Sequence, residues 1–215
     1  MAIIVQEVSD ADVPRACEIE SAAYADNPAN LVLFPGPFPP DSAERRASRL
    51  VEEIHNNATI RCLKAVDEET GELIAFAKWH IFSTPETAGT AEKVLYFGPG
   101  TNQEACYAFF GGLAARKKEV MGDKPHLYLH LLHSDPNHQN RGAGSLLIKW
   151  GFQKADELNL PIYLESSPAA HGFYQKHGFK DVQEFSLDLS QYGAGNKPHV
   201  TPIMTREPGK ATVQS

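Results

Sequence analysis

Apolar positions along this chain recur with two periods, and the switches between them mark its elements. Ile3 to Val8 alternates loosely and reads as a first strand. Ser9-Asp10 then supplies a cap for a helix carrying Val13, Cys17 and Tyr24. Asn27 to Pro40 holds five prolines and a glycine, so a loop is expected. Its Leu31, Leu33, Phe34 and Phe38 imply that the loop packs against something rather than floating free. Asp41-Ser42 caps a second helix, with Ala43, Ala47, Leu50, Val51 and Ile54 at helical spacing on its buried face. Thr59 to Val66 and Leu73 to Phe82 predict a hairpin around the turn from Asp67 to Glu72. Ser83 to Gly100 shows no clear period and is expected to be a loop with a mobile part. Asn102 to Met121 reads as a third helix, with Ala105, Phe109, Leu113 and Val120 facing the core.

In the second half, Leu127 to Ser134 is a strand. On it, alternation would put His130 and His133 on opposite faces, with Tyr128 and Leu132 beside His130. Ser145 to Leu158 is a helix whose Leu147, Trp150, Gly151, Ala155 and Leu158 share one face. Ile162 to Glu165 is a short strand. A further helix is expected with Ser167 as cap, Pro168 at its first position and Gly178 as terminator. Phe179 to Leu189 and His199 to Arg206 close the pattern as strands, and residues 207–215 read as a disordered tail. The order is that of an α/β layered fold in a single domain, residues 1–206, with a parallel crossover from Leu127 to Glu165.

Composition narrows the function. An apolar fraction of 42% suffices for a core, and the net charge of −7 argues against a nucleic-acid partner. Cys17, Cys62 and Cys106 lie far apart, with no metal or redox spacing, so reduced thiols packed in the core are expected. His126, His133, His138, His171 and His177 are scattered and form no metal-ligand set, so no metal is expected. Neither a signal peptide nor a membrane-length apolar run is present, which points to the cytoplasm, or the nucleus, and to no membrane partner.

The chemically distinctive stretch is Gln139-Asn140-Arg141-Gly142-Ala143-Gly144-Ser145, between a strand and a helix. Two glycines let the backbone approach a ligand closely. The following helix offers unpaired N–H groups and a positive dipole end, a combination suited to phosphate or pyrophosphate. A dinucleotide fingerprint would need a third glycine at Leu147, and a nucleotide-triphosphate loop would need a lysine at Ser145. Both readings fail on those residues.

What remains is Gln-x-x-Gly-x-Gly, followed some thirty residues later by Phe173-Tyr174-Gln175-Lys176-His177-Gly178-Phe179. This pairing resembles the GCN5-related N-acetyltransferase (GNAT) superfamily. The resemblance implies a mixed central sheet with helices on both faces and a splayed strand pair that binds acetyl-CoA. By it, Gln139, Asn140, Arg141, Gly142, Ala143 and Gly144 offer the loop to the coenzyme A pyrophosphate, and Ser145 adds a hydroxyl. Leu132, His133 and Ser134 occupy the strand end whose main chain pairs with pantetheine like an added strand. Tyr174 falls at the position that serves as general acid in many members.

Acetyl transfer to an amine needs the amine, pKa near ~10, to lose a proton, and the thiolate, pKa near ~8.5, to be stabilised as it leaves. His130 is the leading base. It lies nine residues before Gln139, where the arylalkylamine branch of the superfamily places a substrate-channel histidine. That branch's second channel histidine would fall at Tyr128, a departure. Glu165, at the end of the neighbouring strand, is the alternative base. Phe34, Phe38, Trp79 and Phe82 could line an acceptor pocket. The expected function is acetyl-CoA-dependent transfer to a small-molecule primary amine, by direct attack in a ternary complex, in a monomer or homodimer. The alternatives are a protein acetyltransferase modifying an N-terminus or lysine, and a non-catalytic acyl-CoA-binding sensor.

Overall fold

A computed structural model of the chain describes residues 2–89, 97–193 and 198–209. Among these, seven strands form one sheet: β1 (Ile3–Glu7), β2 (Ile60–Asp67), β3 (Leu73–Phe82), β4 (His126–Ser134), β5 (Ile162–Glu165), β6 (Lys180–Leu187) and β7 (His199–Arg206). Their spatial order is β1-β2-β3-β4-β5-β7-β6. All neighbours are antiparallel except β4 and β5, which run parallel across the expected crossover. The near-continuous burial of β3 follows from its central place, covered on both faces.

The helices are α1 (Val13–Ala23), α2 (Pro28–Leu33), α3 (Ser42–Asn56), α4 (Pro85–Gly89), α5 (Gln103–Met121), α6 (Ala143–Leu158) and α7 (His171–Lys176). On one face, α6 and α7 bury Leu147, Ile148, Ala155 and Tyr174 against Trp79, Leu127, Leu129 and Leu164. Opposite them, α1 places Ala16 and Ile19 on Leu73 and Phe76. Farther along that face, Met121 at the end of α5 packs with Tyr163, Phe185 and Ile203. The mixed sheet with helices on both faces is therefore the expected one.

Five expectations change. The proline-rich stretch contains α2, because Asn27 accepts a bond from the Ala29 N–H at 2.9 Å and Pro28 occupies a first-turn position where no N–H is needed. Within Ser83–Gly100, residues 85–89 form α4, and residues 90–96, where the mobile part was expected, lie outside the described residues. The last helix starts at His171, since Ser167 accepts from the Ala170 N–H at 3.3 Å in a turn that precedes it. On α3 no residue is fully buried and Ala43 is exposed, because this helix lies outermost, against α1 and β2. Similarly, α6 begins two residues earlier than expected, at Ala143, and its Leu158 is exposed. At the C-terminus the Gly209 N–H donates to Asp156 at 2.6 Å, and residues 210–215, within the expected disordered tail, lie outside the described residues.

Two irregularities shape the middle of the sheet. β4 and β5 pair only at Leu127↔Ile162 and Tyr128↔Tyr163, although β4 stays bonded to β3 as far as Ser134. From Leu129 onward the β5-side edge of β4 has no β5 partner, which opens a wedge. Across β3, Lys78 faces Leu131 while Trp79 faces Leu129, so His130 is the extra residue of a bulge.

Candidate active site

The loop before α6 takes its shape from two left-handed residues, Asn140 at φ 61° and Gly142 at φ 89°. The second is the helix N-cap, and no side chain caps α6 there. Its first-turn N–H groups thus point outward without intrahelical partners, beside the mouth of the wedge. At Gly144 a Cβ would sit 3.5 Å from the Phe173 ring and 4.0 Å from Leu132, which places the loop against both α7 and β4.

Other cofactor candidates are engaged within the protein. Arg141 donates to Asp67 at 2.6 Å and approaches His138 Nδ1 at 3.1 Å. The Arg141 guanidinium, with help from backbone N–H groups, holds the Asp67 carboxyl below the usual carboxylate range. The Ser145 hydroxyl lies 3.1 Å from His177 Nε2, whose Nδ1 donates to the Phe173 carbonyl at 2.8 Å. Asp67 and His177 are thus part of the loop's support. A motif read along the chain does not reveal such partners, since each lies more than thirty residues from the one it holds.

Because of the bulge at His130, alternation along β4 is interrupted. Leu132 faces the α6 side with the main core, whereas His133 faces α1, 4.8 Å from the Tyr24 ring and 5.7 Å from that of Phe76. His130 lies with Tyr128 and His80, ring centroids 5.2 and 5.5 Å away. His130 and His133 therefore share a face, opposite to Leu132, and the expectation from strict alternation is corrected. His133 is buried, which depresses its pKa to about 4, with Arg46 adding to the effect.

Of the three catalytic candidates, His130 and Glu165 both meet Tyr128, whereas Tyr174 is carried by α7 on the α6 side. Tyr174 is buried, its ring edge-on to Phe173 and Phe179 at 5.3 and 5.7 Å, and its hydroxyl makes no hydrogen bond among the described residues. Burial drives its pKa up, and Tyr24 adds to that. Burial raises the Tyr128 pKa as well, and Glu165 and Tyr24 add to it. Glu165 accepts from the Tyr128 hydroxyl at 2.6 Å and from the Tyr163 hydroxyl at 2.9 Å, one on each oxygen. Burial raises its pKa, against the opposing pull of the two phenols and of Lys117. With both oxygens occupied, Glu165 is better placed to anchor the pocket than to take a proton.

Of the apolar side chains considered for an acceptor pocket, Phe82 is at the site, stacked 5.5 Å from His80. Trp79 is not: it is fully buried on the α6 side, beneath Gly151. Phe34 packs with Phe110 under α5, and Phe38 is half exposed beside Gly100. Tyr24 and Lys117 are the pocket residues that the motifs did not reveal. Elsewhere, Glu72, Asp135 and His138 bring ligand atoms within 4.8 Å of one another, but Arg15 already bonds to both carboxylates.

Comparison with known proteins agrees with this geometry. Residues 30–179 match the family described as the acetyltransferase (GNAT) family. The chain is 32% identical over 73 residues to a probable acyltransferase, SID5, of Ajellomyces capsulatus, a match covering 34% of this chain and only about half, 54%, of that relative. Among solved structures, one described as histone acetyltransferase HPA2 and related acetyltransferase, from Corynebacterium glutamicum, superposes with a TM-score of 0.62. It has 21% identity, over 99% of this chain and 100% of the other. A phosphinothricin acetyltransferase of Sinorhizobium meliloti, solved in complex with AcCoA, gives 0.59 at 15% identity, over 100% and 93%. With the family model spanning most of its length and the wedge, loop and tyrosine in place, the chain belongs to the GNAT acetyltransferase family.

Proposed function

We propose that this protein transfers an acetyl group from acetyl-CoA to the primary amine of a small molecule, within a ternary complex. The observation that carries this reading is the wedge between β4 and β5, with the uncapped start of α6 at its mouth. The pyrophosphate would lie on the N–H groups from Gly142 to Ser145, and pantetheine along the free edge of β4 from Leu132 to Ser134. The thioester would then lie within the wedge between β4 and β5.

In the reaction the amine nitrogen attacks the thioester carbonyl, a C–N bond forms and the C–S bond breaks. The proton shed by the amine passes to His130, directly or through water, and then to solvent. Tyr174 faces the leaving sulfur. A phenol near ~10 is about 1.5 units weaker as an acid than a thiol, so full transfer would cost about 2 kcal/mol, and burial of Tyr174 increases that cost. Its role is therefore a hydrogen bond to the developing thiolate. The expected residence is the cytoplasm or nucleus; among the described residues no helix is long and apolar enough to cross a membrane.

Thiol release measured against a panel of amines and a panel of peptides tests the reading. Turnover confined to peptides would support a protein acetyltransferase in its place. Thermal stabilisation by coenzyme A with no turnover of any acceptor would support a sensor, and stabilisation by ATP or NAD alone would overturn acetyl-CoA as the ligand.

A further inference from the structure

Lys117 projects from the last third of α5 over Tyr128 and Phe82, on the face of the sheet that carries His130. Its ammonium lies 5.0 Å from the Tyr128 ring centre and 5.3 Å from that of Phe82, a cation–π position between two aromatic faces. Among the described residues it makes no hydrogen bond or ion pair. The nearest carboxylate, Glu165, attracts it electrostatically, but both Glu165 oxygens already accept from tyrosines. The three N–H donors of this half-buried lysine thus have no acceptor among the described residues.

We propose that Lys117 recognises the acceptor, and that the acceptor is a primary amine that also carries a carboxylate. The inference rests on the transferase reading above and names its substrate class. A buried ammonium without a bonded counter-ion favours a ligand that brings one. Burial lowers the Lys117 pKa and Glu165 offsets this only in part, so an arriving anion would add a favourable partner for the ammonium. A second ammonium at this place would meet repulsion, because the carboxylate that acts on it among the described residues, Glu165, is shared.

The experiment compares each amino acid with the amine left when its carboxyl group is removed: 5-aminovalerate with butylamine, lysine with cadaverine, phenylalanine with phenethylamine. Thiol release from acetyl-CoA is measured on the native chain, on Lys117→Met and on Lys117→Arg. A charge-assisted contact predicts that the native protein prefers the carboxylated member by about tenfold to hundredfold in kcat/KM, chiefly through KM. The preference should collapse toward unity in Lys117→Met and persist in Lys117→Arg. Equal turnover of both members by the native chain, or an undiminished preference in Lys117→Met, overturns the inference and leaves the transferase reading standing. No turnover of either member overturns both.

Discussion

The Tyr128 hydroxyl donates to Glu165 at 2.6 Å, and this bond joins the two strands just where their pairing ends. It stabilises the ionised form of a carboxylate that burial would otherwise protonate. Tyr128→Phe removes that donor, so the pKa of Glu165 should rise further. The variant is expected to lose about 1–3 kcal/mol of stability, since one buried oxygen is left with a missing partner. If the pocket works with Glu165 ionised, the acidic limb of the kcat/KM profile moves to higher pH. Kinetics across pH 5 to 8 read this directly, and an unmoved limb would remove Glu165 from the functional site.

Tyr174→Phe should lower kcat by roughly 10²- to 10⁴-fold, the usual range for a positioned proton donor. Its hydroxyl bonds to nothing else among the described residues, so the melting temperature and coenzyme A affinity should stay near those of the native protein. A decrease within twofold, measured on a good amine, would exclude Tyr174 from the chemistry.

The buried histidines set an acid limit on stability. His126 and His133 are both pushed from 6.5 down to about 4, mainly by burial. A depressed folded-state pKa means that the unfolded chain binds the proton more readily. Their contribution is therefore complete above pH 6.5 and is lost as pH falls toward 4. Each could account for at most about 3 kcal/mol over that window. Glu165 acts in the opposite sense, because its raised pKa weakens the fold as pH rises above 4.5. Denaturant melts at pH 7 and pH 5 should show a clear loss at the lower value. His133→Phe, which keeps a ring against Tyr24 and Phe76, should reduce that loss; an unchanged pH dependence would contradict the burial argument.

The strand–loop–helix core of the site was legible in the sequence because it depends on local rules. Gly142 must adopt a left-handed φ, the apolar run from Leu127 to Leu132 marks a strand, and Gly178 ends a helix with φ 85°. The wedge was anticipated only through the family resemblance. Nothing in the residues from Leu129 to Ser134 states that their partner strand stops early. The bulge at His130 was hidden for a related reason. One inserted residue leaves the hydrophobic pattern of Leu127, Leu129, Leu131 and Leu132 intact while placing Leu131 opposite Leu129 and returning Leu132 to the face of Leu129. Lys117 was invisible because a lysine on an amphipathic helix reads as solvated, and only the packing of α5 beside β4 turns it inward.

Arg141 provides a test of whether loop residues bind or position. Its guanidinium is bonded to Asp67 across the β2–β3 turn, not directed from the loop into solvent. If Arg141 acts by holding the loop, Asp67→Asn and Arg141→Met should weaken coenzyme A binding alike, by about five- to thirtyfold, the equivalent of 1–2 kcal/mol. If it bound phosphate directly, Asp67→Asn would free the arginine and tighten binding. Calorimetric titration with coenzyme A distinguishes the two by sign, and the structure predicts loss in both variants.

Gly151 shows packing overruling propensity. It lies in the middle of α6, where alanine would favour the helix by about 1 kcal/mol. A Cβ there would fall 2.9 Å from Cζ3 of Trp79 and closer still to two other ring atoms. Trp79 is fully buried and also packs against Trp150 at 6.3 Å, so the ring has no space into which it can retreat. Relief would require α6 to lift from β3, and α6 begins at the pyrophosphate loop. Overpacking of this kind costs typically 1–3 kcal/mol and exceeds the gain in propensity. Gly151→Ala should therefore lower the melting temperature and weaken coenzyme A binding together. Ala155→Gly, one turn farther along the same buried face, should lower stability by removing a buried methyl group and helix propensity, without displacing the loop. Thermal melts of both variants with and without coenzyme A separate the cases: only Gly151→Ala should lose part of the ligand-induced shift.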